Sequence, residues 1–433
     1  MGIKVEIKDP VTVLVGPKGC VGPGTWGFYQ FPKIWRARDG VIYLSVNIGA
    51  DSAAGEHEPT RVFASPDGGR SWRGVGLGCI DESPEIFDLP DGRQVFFGAR
   101  RTLNFLHENR TDLTVCPDEL NMKPRMGPLV NPYGVDEYVF YNFADIPEKL
   151  RRFGAAARRG PCGEWENFEG AIDIPDMVAA SHVRAGWWDG DGAFYWKDLK
   201  PAIAIPIPEK LAVLGDGTLL WALACQHPGV KDRFYDRVMC VASTDCGKMW
   251  TLRGIVAGDP EKTTWGYGFG EQSIALAPNG DLLCAMRTKS SNDMGHTHYL
   301  PLSRSSDGGR TWSAPEPVAE FSVTPHLLAL QNGAMALIYG RPGVHVKLSA
   351  DSGRTWGDAV TLVGTPERDI LKMPLEEWWQ MRHDESCANT GAVVTGPDKF
   401  IVAYSDFKHL GAEGDYRKAI KIREITVVFN TDV

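Results

Sequence analysis

The sequence predicts an all-β fold, a six-bladed β-propeller built as a single domain from residues 1–433. An octamer of fixed pattern recurs four times, and six apolar hairpins are spread along the chain. Self-similarity of this kind marks an architecture in which one supersecondary unit is repeated. The 48 glycines and 29 prolines are dispersed as well, as the many turns of a strand-rich fold require.

The octamers are SPDGGRSW (Ser65 to Trp72), STDCGKMW (Ser243 to Trp250), SSDGGRTW (Ser305 to Trp312) and SADSGRTW (Ser349 to Trp356). All read S-x-D-x-G-x-x-W, and each follows a short apolar strand: TRVFA, DRVMCVA, HYLPLSR and VHVKL. The pattern makes a tight hairpin, since Ser and Asp side chains bond nearby backbone groups and Gly permits a positive-φ turn. The tryptophan packs back under that turn. These residues are expected to be structural, with Trp72, Trp250, Trp312 and Trp356 in equivalent outer positions.

Upstream of the octamers recurs an apolar run, a D-G or N-G type turn, and a second apolar run. The six copies are FPKIWRARDGVIYLSV, IFDLPDGRQVFFGA, LAVLGDGTLLWALA, IALAPNGDLLCAM, LLALQNGAMALIY and AVVTGPDKFIVAY. Such dipeptides between alternating runs signal hairpins. Six hairpins, each followed by third and fourth strands, make six four-stranded blades. In the second blade Glu164-Trp165 reads as the remnant of an octamer, and the polar stretch 104–159 as an insertion. In the sixth, AIKIREITVVF supplies the last strands and the N-terminal VEIKDPVTVLV closes the ring.

Bulk properties exclude several classes. A net charge of −9 and a pI near 5.6 argue against a general binder of nucleic-acid phosphates, although they leave room for a local basic pocket. Nine cysteines without a CxxC pair suit free thiols in a reducing compartment rather than a disulfide framework or zinc site. The start of the chain alternates like a strand and does not read as a secretory signal, and no run reaches the length of a membrane span. A soluble cytoplasmic protein is expected.

The four octamers resemble the Asp boxes of sialidases and of the wider BNR-repeat glycosidases, and the likeness covers nearly the whole chain. The texture LIYGR with D-x-G-R-T-W is closest to uncharacterised bacterial members. Sialidases of this type bind a substrate carboxylate with three arginines, and use an Asp acid and a Tyr nucleophile activated by a Glu. The resemblance places Glu271 and Arg287, sixteen residues apart in EQSIALAPNGDLLCAMR, at the glutamate and second arginine. It places Arg341, closing LIYGR, at the third arginine, and Asp51 in the loop that keeps the acid. At the first arginine this chain has Gln30, in Gln30-Phe31-Pro32. Where the tyrosine should begin the sixth inner strand it has Ala388-Asn389-Thr390, with Tyr404 a strand further on.

In a propeller the leading residues of the inner strands meet at one rim of the channel. Here these are Gln30, Glu82 or Glu85, Glu271, His326 and Asn389, and the second-strand ends add Asn47, Arg100, Arg287, Arg341 and Asp406. Two arginines supply planar donors suited to a carboxylate or sulfate. A carboxylate pair is the minimum equipment of a glycoside hydrolase. Asp51 and Glu271 are the expected catalytic pair, with His57 and Glu58 competing in the same loop as Asp51. A separation of about 6.5–9.5 Å would suit inversion through a water, and about 5–5.5 Å a covalent intermediate. Substrate contacts are expected from Gln30, Arg100, Arg287, Arg341, His326, Trp265 and Tyr404, and Trp26 is a second ring on which a sugar face could stack.

The expected function is therefore an exo-acting glycoside hydrolase on an acidic or deoxy sugar, lacking the tyrosine nucleophile. Its partner would be a carbohydrate, with no nucleic acid, membrane, metal or cofactor. One alternative is a polysaccharide lyase in which Arg287 and Arg341 neutralise a uronate and His326, His182 or Tyr404 removes the α-proton. The other is a propeller that binds carbohydrate or protein without catalysis, since fold alone does not imply activity.

Overall fold

The computed structural model describes residues 2–22, 25–49, 60–78, 80–98, 114–131, 136–188, 194–261, 266–288, 299–320, 323–341, 343–364, 386 and 389–429. These residues form an all-β molecule whose helical turns are three short 3₁₀ segments. Among them no helix is long and apolar enough to cross a membrane.

Six antiparallel meanders follow one another along the chain. The first runs through Gln30–Arg36, Ile42–Asn47, Thr60–Ser65 and Arg73–Val75. The second comprises Ile86–Asp88, Arg93–Phe97, Arg152–Arg159 and Glu166–Asp173, and the third Ala212–Val213, Leu219–Gln226, Asp236–Ser243 and Met249–Ala257. The fourth is Phe269–Leu276, Leu282–Thr288, Leu300–Ser305 and Glu316–Ala319; the fifth is His326–Ala329, Met335–Gly340, Val344–Ser349 and Val360–Val363. In the sixth, Gly391–Gly396, Lys399–Leu410 and Tyr416–Phe429 are completed from the other end of the chain. Ile3–Ile7 and Val11–Val15 both pair with Tyr416–Phe429.

The second and third meanders are fused by parallel pairing of Ala171–Asp173 with Met249–Thr251. An extra sheet of Met126–Val130, Asp136–Asn142, Val178–Trp188 and Phe194–Asp198 is attached on the other side of the third meander, through Val178 and Gln226. The strand Arg152–Arg159 pairs with Arg93–Phe97 and so belongs to the second meander.

Strand alternation puts successive side chains on opposite faces, and each meander uses both. Leu282, Cys284 and Met286 pack against Leu220, Val238 and Cys240 of the third meander, whereas Leu283 and Ala285 pack against Leu327, Met335 and Leu337 of the fifth. The same arrangement joins second to third around Phe97, Phe153 and Trp250, fifth to sixth around Ile338, Val346 and Val402, and sixth to first around Ile34, Leu44 and Ile422. First and second meet through Trp35 Nε1 donating to the Glu82 carbonyl (2.6 Å) and through the ion pairs Lys33–Glu85 and Arg38–Asp88. Each aliphatic side chain buried in these layers contributes about 1.5–3 kcal/mol relative to exposure.

The octamers share one geometry. In the first, Ser65 Oγ donates to Asp67 Oδ1 (2.8 Å) and accepts from Gly69 N (2.8 Å). Asp67 also accepts from the amides of Arg70 and Ser71 at 3.0 Å. Trp72, Trp250 and Trp312 each return an indole N–H to the carbonyl of their own glycine, at 3.0–3.1 Å. That glycine is required twice over. Gly247 has φ +89°, and a Cβ there would lie 2.4 Å from the Phe97 ring of the preceding meander. Gly353, at φ +76°, would strike Leu283 Cδ1 at 2.4 Å. Each turn thus closes its own hairpin and seats against its neighbour's core.

Candidate functional site at the inner strand starts

The first residues of the inner strands depart from regular pairing. Between Gln30 and Lys33, and between Gly270 and Ser273, the register shifts, and at each bulge a side chain is forced into the left-handed region. Phe31 takes φ +55° and Glu271 +41°, and Thr324 (+46°) and Arg341 (+72°) follow suit. Each costs on the order of 1–3 kcal/mol, strain that persists only where the surroundings over-determine it.

Three of these strained residues, Glu271, Thr324 and Arg341, belong to one hydrogen-bonded chain with Asn389 and Arg287. Arg341 Nη2 donates to Asn389 Oδ1 (2.5 Å), Asn389 Nδ2 to Thr324 Oγ1 (3.0 Å), and Thr324 Oγ1 to Glu271 Oε2 (3.2 Å). The Thr324 amide donates to the same oxygen at 2.9 Å, and Arg287 Nη1 takes Oε1 at 2.7 Å. One hydroxyl hydrogen suffices, because Thr324 donates to the carboxylate and accepts from the amide. Arg341 also lies over the Trp26 ring, 5.1 Å from its centroid. Burial pushes the Glu271 carboxyl up, but Arg287 and Arg341, with the Thr324 amide, outweigh it and hold it below the usual range. Glu271 is therefore an ionised carboxylate with both oxygens engaged.

It opens on a cavity of about 880 Å³. Lys33, Glu85, Glu209, Lys210, Glu271 and Thr324 give this cavity its polar lining, against an apolar wall that includes Trp221, Leu223 and Ile274. Lys33 Nζ meets Glu85 Oε1 at 2.7 Å. Burial pulls the Lys33 ammonium down, yet Glu85 and Glu209 raise it above its ordinary value. Lys210 moves the other way: burial and repulsion from Lys33 lower it, against the pull of Glu209 and Glu271. Behind the cavity, His326 Nε2 lies 2.5 Å from the Thr390 carbonyl. Burial and the Lys210 charge bring that imidazole down to about 3, so it is neutral and donates there.

Of the residues expected from sequence, Glu271, Arg287, Arg341, His326 and Asn389 come together, with Trp26 beside them. Two lie elsewhere. Gln30 is fully buried, its Oε1 accepting from Gly27 N (2.5 Å) and Lys418 Nζ (3.0 Å), so it shields a buried ammonium and does not line the cavity. Tyr404 is 2% exposed in the apolar layer between fifth and sixth meanders, its hydroxyl toward Arg423, with burial raising its pKa. Its face of the strand is the packed one. His182 pairs with Asp136 (3.1 Å) and stacks on Tyr138 in the extra sheet. Asp51, Arg100 and Trp265, with His57 and Glu58, lie outside the described residues. Among the described residues no cluster of ligating side chains could hold a metal ion.

Lys33, Glu209, Lys210 and Thr324 were not legible as site residues. A signal existed for three of them. Lys33 is a charge inside the apolar run FPKIW, and Glu209-Lys210 immediately precedes the third hairpin, the one inner strand assigned no leading residue.

Fold and site define a class of all-β proteins in which repeated meanders present a charged cavity at their inner strand starts. The family model for a BNR repeat-like domain matches residues 189–415, and the chain belongs to that family. No curated protein matches the sequence. A solved structure of a protein of unknown function from Dyadobacter fermentans is similar over 97% of this chain and 99% of its own, with a TM-score of 0.54 at 18% identity, which shows a common fold. The Hadza microbial sialidase Hz136 is similar over 91% of this chain, at 14% identity and a TM-score of 0.44, and the chain spans 65% of its length. A Penicillium chrysogenum α-L-arabinanase complexed with arabinobiose is similar over 96% of this chain and 98% of its own, at 11% identity and a TM-score of 0.44.

Proposed function

We propose that the six meanders close as a six-bladed propeller, and that the cavity is the active site of an exo-acting glycoside hydrolase for an acidic or deoxy sugar. The observation that carries this reading is Glu271. An ionised carboxylate held by Arg287 and Thr324 on strained backbone, open to a cavity of about 880 Å³, is equipped to act on a bound ligand. Packing of the sixth meander on the first, and completion of the sixth by the N-terminal strands, supports the closed ring.

Held below the ordinary carboxylate range, Glu271 serves as a base or nucleophile and not as the acid. Asp51 is the proposed acid, on the strength of its place in the sequence. Asn389, at the position of the family tyrosine, is held between Arg341 and Thr324, which favours direct attack by a water that Glu271 orients, with inversion. His326 speaks against the lyase: an imidazole this acidic, its Nε2 turned to a carbonyl, is a poor base for an α-proton.

The test is product analysis of the full chain on a panel of uronosyl, sulfated and deoxy glycosides. The proposal expects a free reducing sugar whose first-formed anomer, followed by proton NMR, is inverted. An unsaturated, ultraviolet-absorbing product would establish the lyase instead, and saturable binding without turnover would leave a binding protein.

A further inference from the structure

The cavity's charges do not cancel one another equally. Lys33 is taken by Glu85, and Arg287 by Glu271. Arg341 is 5% exposed, bonded to Asn389 and covered by Trp26. Lys210 differs from all of these: it lines the cavity as a residue open to it, though protein surrounds it closely enough to disfavour its charge, and among the described residues it has neither a hydrogen bond nor an ion pair. Its backbone is held at φ +49°, a conformation that costs a lysine free energy and fixes where the side chain starts. Around it stand the carboxylates of Glu209 and Glu271 and a second ammonium, Lys33, of which Glu209 acts on it most strongly.

From this juxtaposition, and resting on the carbohydrate reading above, we infer that Lys210 is the anion-recognising residue of the cavity, taking a carboxylate or sulfate group on the sugar. The arginines then have a different task. Arg287 and Arg341 hold Glu271 ionised and in place, and the substrate's charge is met from the opposite sequence neighbourhood, the segment leading into the third meander. An ammonium is suited to this, because as a compact point charge it accepts carboxylate and sulfate alike without demanding a planar match. An anion settling beside Lys210 would be drawn by it and by Lys33 against the repulsion of Glu209 and Glu271, and the neutral His326 adds no competing charge. A charged sugar should therefore bind better than its neutral counterpart, and the preference should reside in one side chain.

Calorimetric titration of the full chain at neutral pH with glucuronate, glucose 6-sulfate and glucose tests the assignment. Monosaccharide binding requires no bond cleavage. Either or both anionic sugars should bind, and their relative affinities show which oxyacid the site takes. Glucose should bind about ten-fold or more weakly. Lys210→Met should weaken anionic-sugar binding by about ten- to a hundred-fold while leaving glucose unchanged, and Lys210→Arg should retain most of the preference. Lys210→Gly, which relieves the backbone strain, should lose the preference just as Lys210→Met does, so a folding defect cannot imitate the result. Equal binding of anionic sugars to wild type and Lys210→Met, or no preference over glucose in wild type, would overturn the inference. A Lys210-dependent preference with no turnover of any glycoside would sink the hydrolase and leave this inference standing. Turnover with an unchanged preference in Lys210→Met would do the reverse.

Discussion

Where the third strand of a meander turns into the fourth, hereafter the outer end, four turns are built alike. Ser65, Ser243, Ser305 and Ser349 each bond an aspartate two residues on, and each accepts from a glycine amide four residues on. At the inner end the meanders diverge. The first brings Lys33, the second Glu85, the fourth Glu271 and the fifth Thr324, while Glu209 and Lys210 enter just ahead of the third. The same chain repeats itself where it must fold and varies where it meets the cavity. Outer-end substitutions should therefore act on stability, and inner-end ones on chemistry.

The comparison can be broken first at the inner end. Arg341→Met removes one of the charges that hold Glu271 ionised and cuts the hydrogen-bonded chain at its source. It should lower turnover by up to about 100-fold through misplacement. Because the lost charge had depressed the Glu271 pKa, the acidic limb of the pH–rate profile should move to higher pH. An unmoved limb would mean that Arg341 is only a packing element.

At the outer end, Gly247→Ala combines a forbidden φ with a Cβ 2.4 Å from Phe97. A loss of about 2–4 kcal/mol is expected by denaturant titration, with the cavity chemistry unchanged in the surviving folded fraction. A smaller effect concerns acid. Burial pushes Asp351 up, but Thr355 and Ser349 outweigh it and hold the carboxyl at about 2. A depressed folded-state pKa contributes stability that is present above the unfolded value, near about 4, and lost as pH falls through the folded one. Asp351→Asn should accordingly cost stability at pH 6, and the deficit should shrink toward pH 2. Smallest, and of opposite sign, is Cys246→Gly. Cys246 sits at φ +63° where two other octamers have glycine, so the change should stabilise by about 0.5–1 kcal/mol in a calorimetric melt.

The same contrast explains what the sequence could reveal. The octamers and hairpins were legible because their chemistry is local: Asp67 bonds residues within four positions, and D-G and N-G dipeptides dictate their own turns. Glu271 was legible because it stands at the start, and Arg287 and Arg341 because they stand at the ends, of strands of a repeated unit. Lys210 was not, since its meaning depends on Lys33, far away in sequence, and on an inner strand of only two paired residues, Ala212–Val213. Gln30 and Tyr404 misled for a related reason. Strand alternation shows that neighbours face opposite ways but not which face is the wet one, and both side chains lie on the packed side.

The central claim is that an ionised Glu271 drives cleavage in this cavity, and Glu271→Gln addresses it most directly. Glutamine keeps one oxygen acceptor, for Thr324 or for Arg287, and loses the charge, the basicity and the second acceptor. With the melting transition monitored alongside, the variant should remain folded and bind anionic sugar, while turnover of a cleaved glycoside falls by about 10²–10⁴-fold. Near-normal turnover in a folded Glu271→Gln protein would show that the Glu271–Arg287 pair is structural, and would contradict the account.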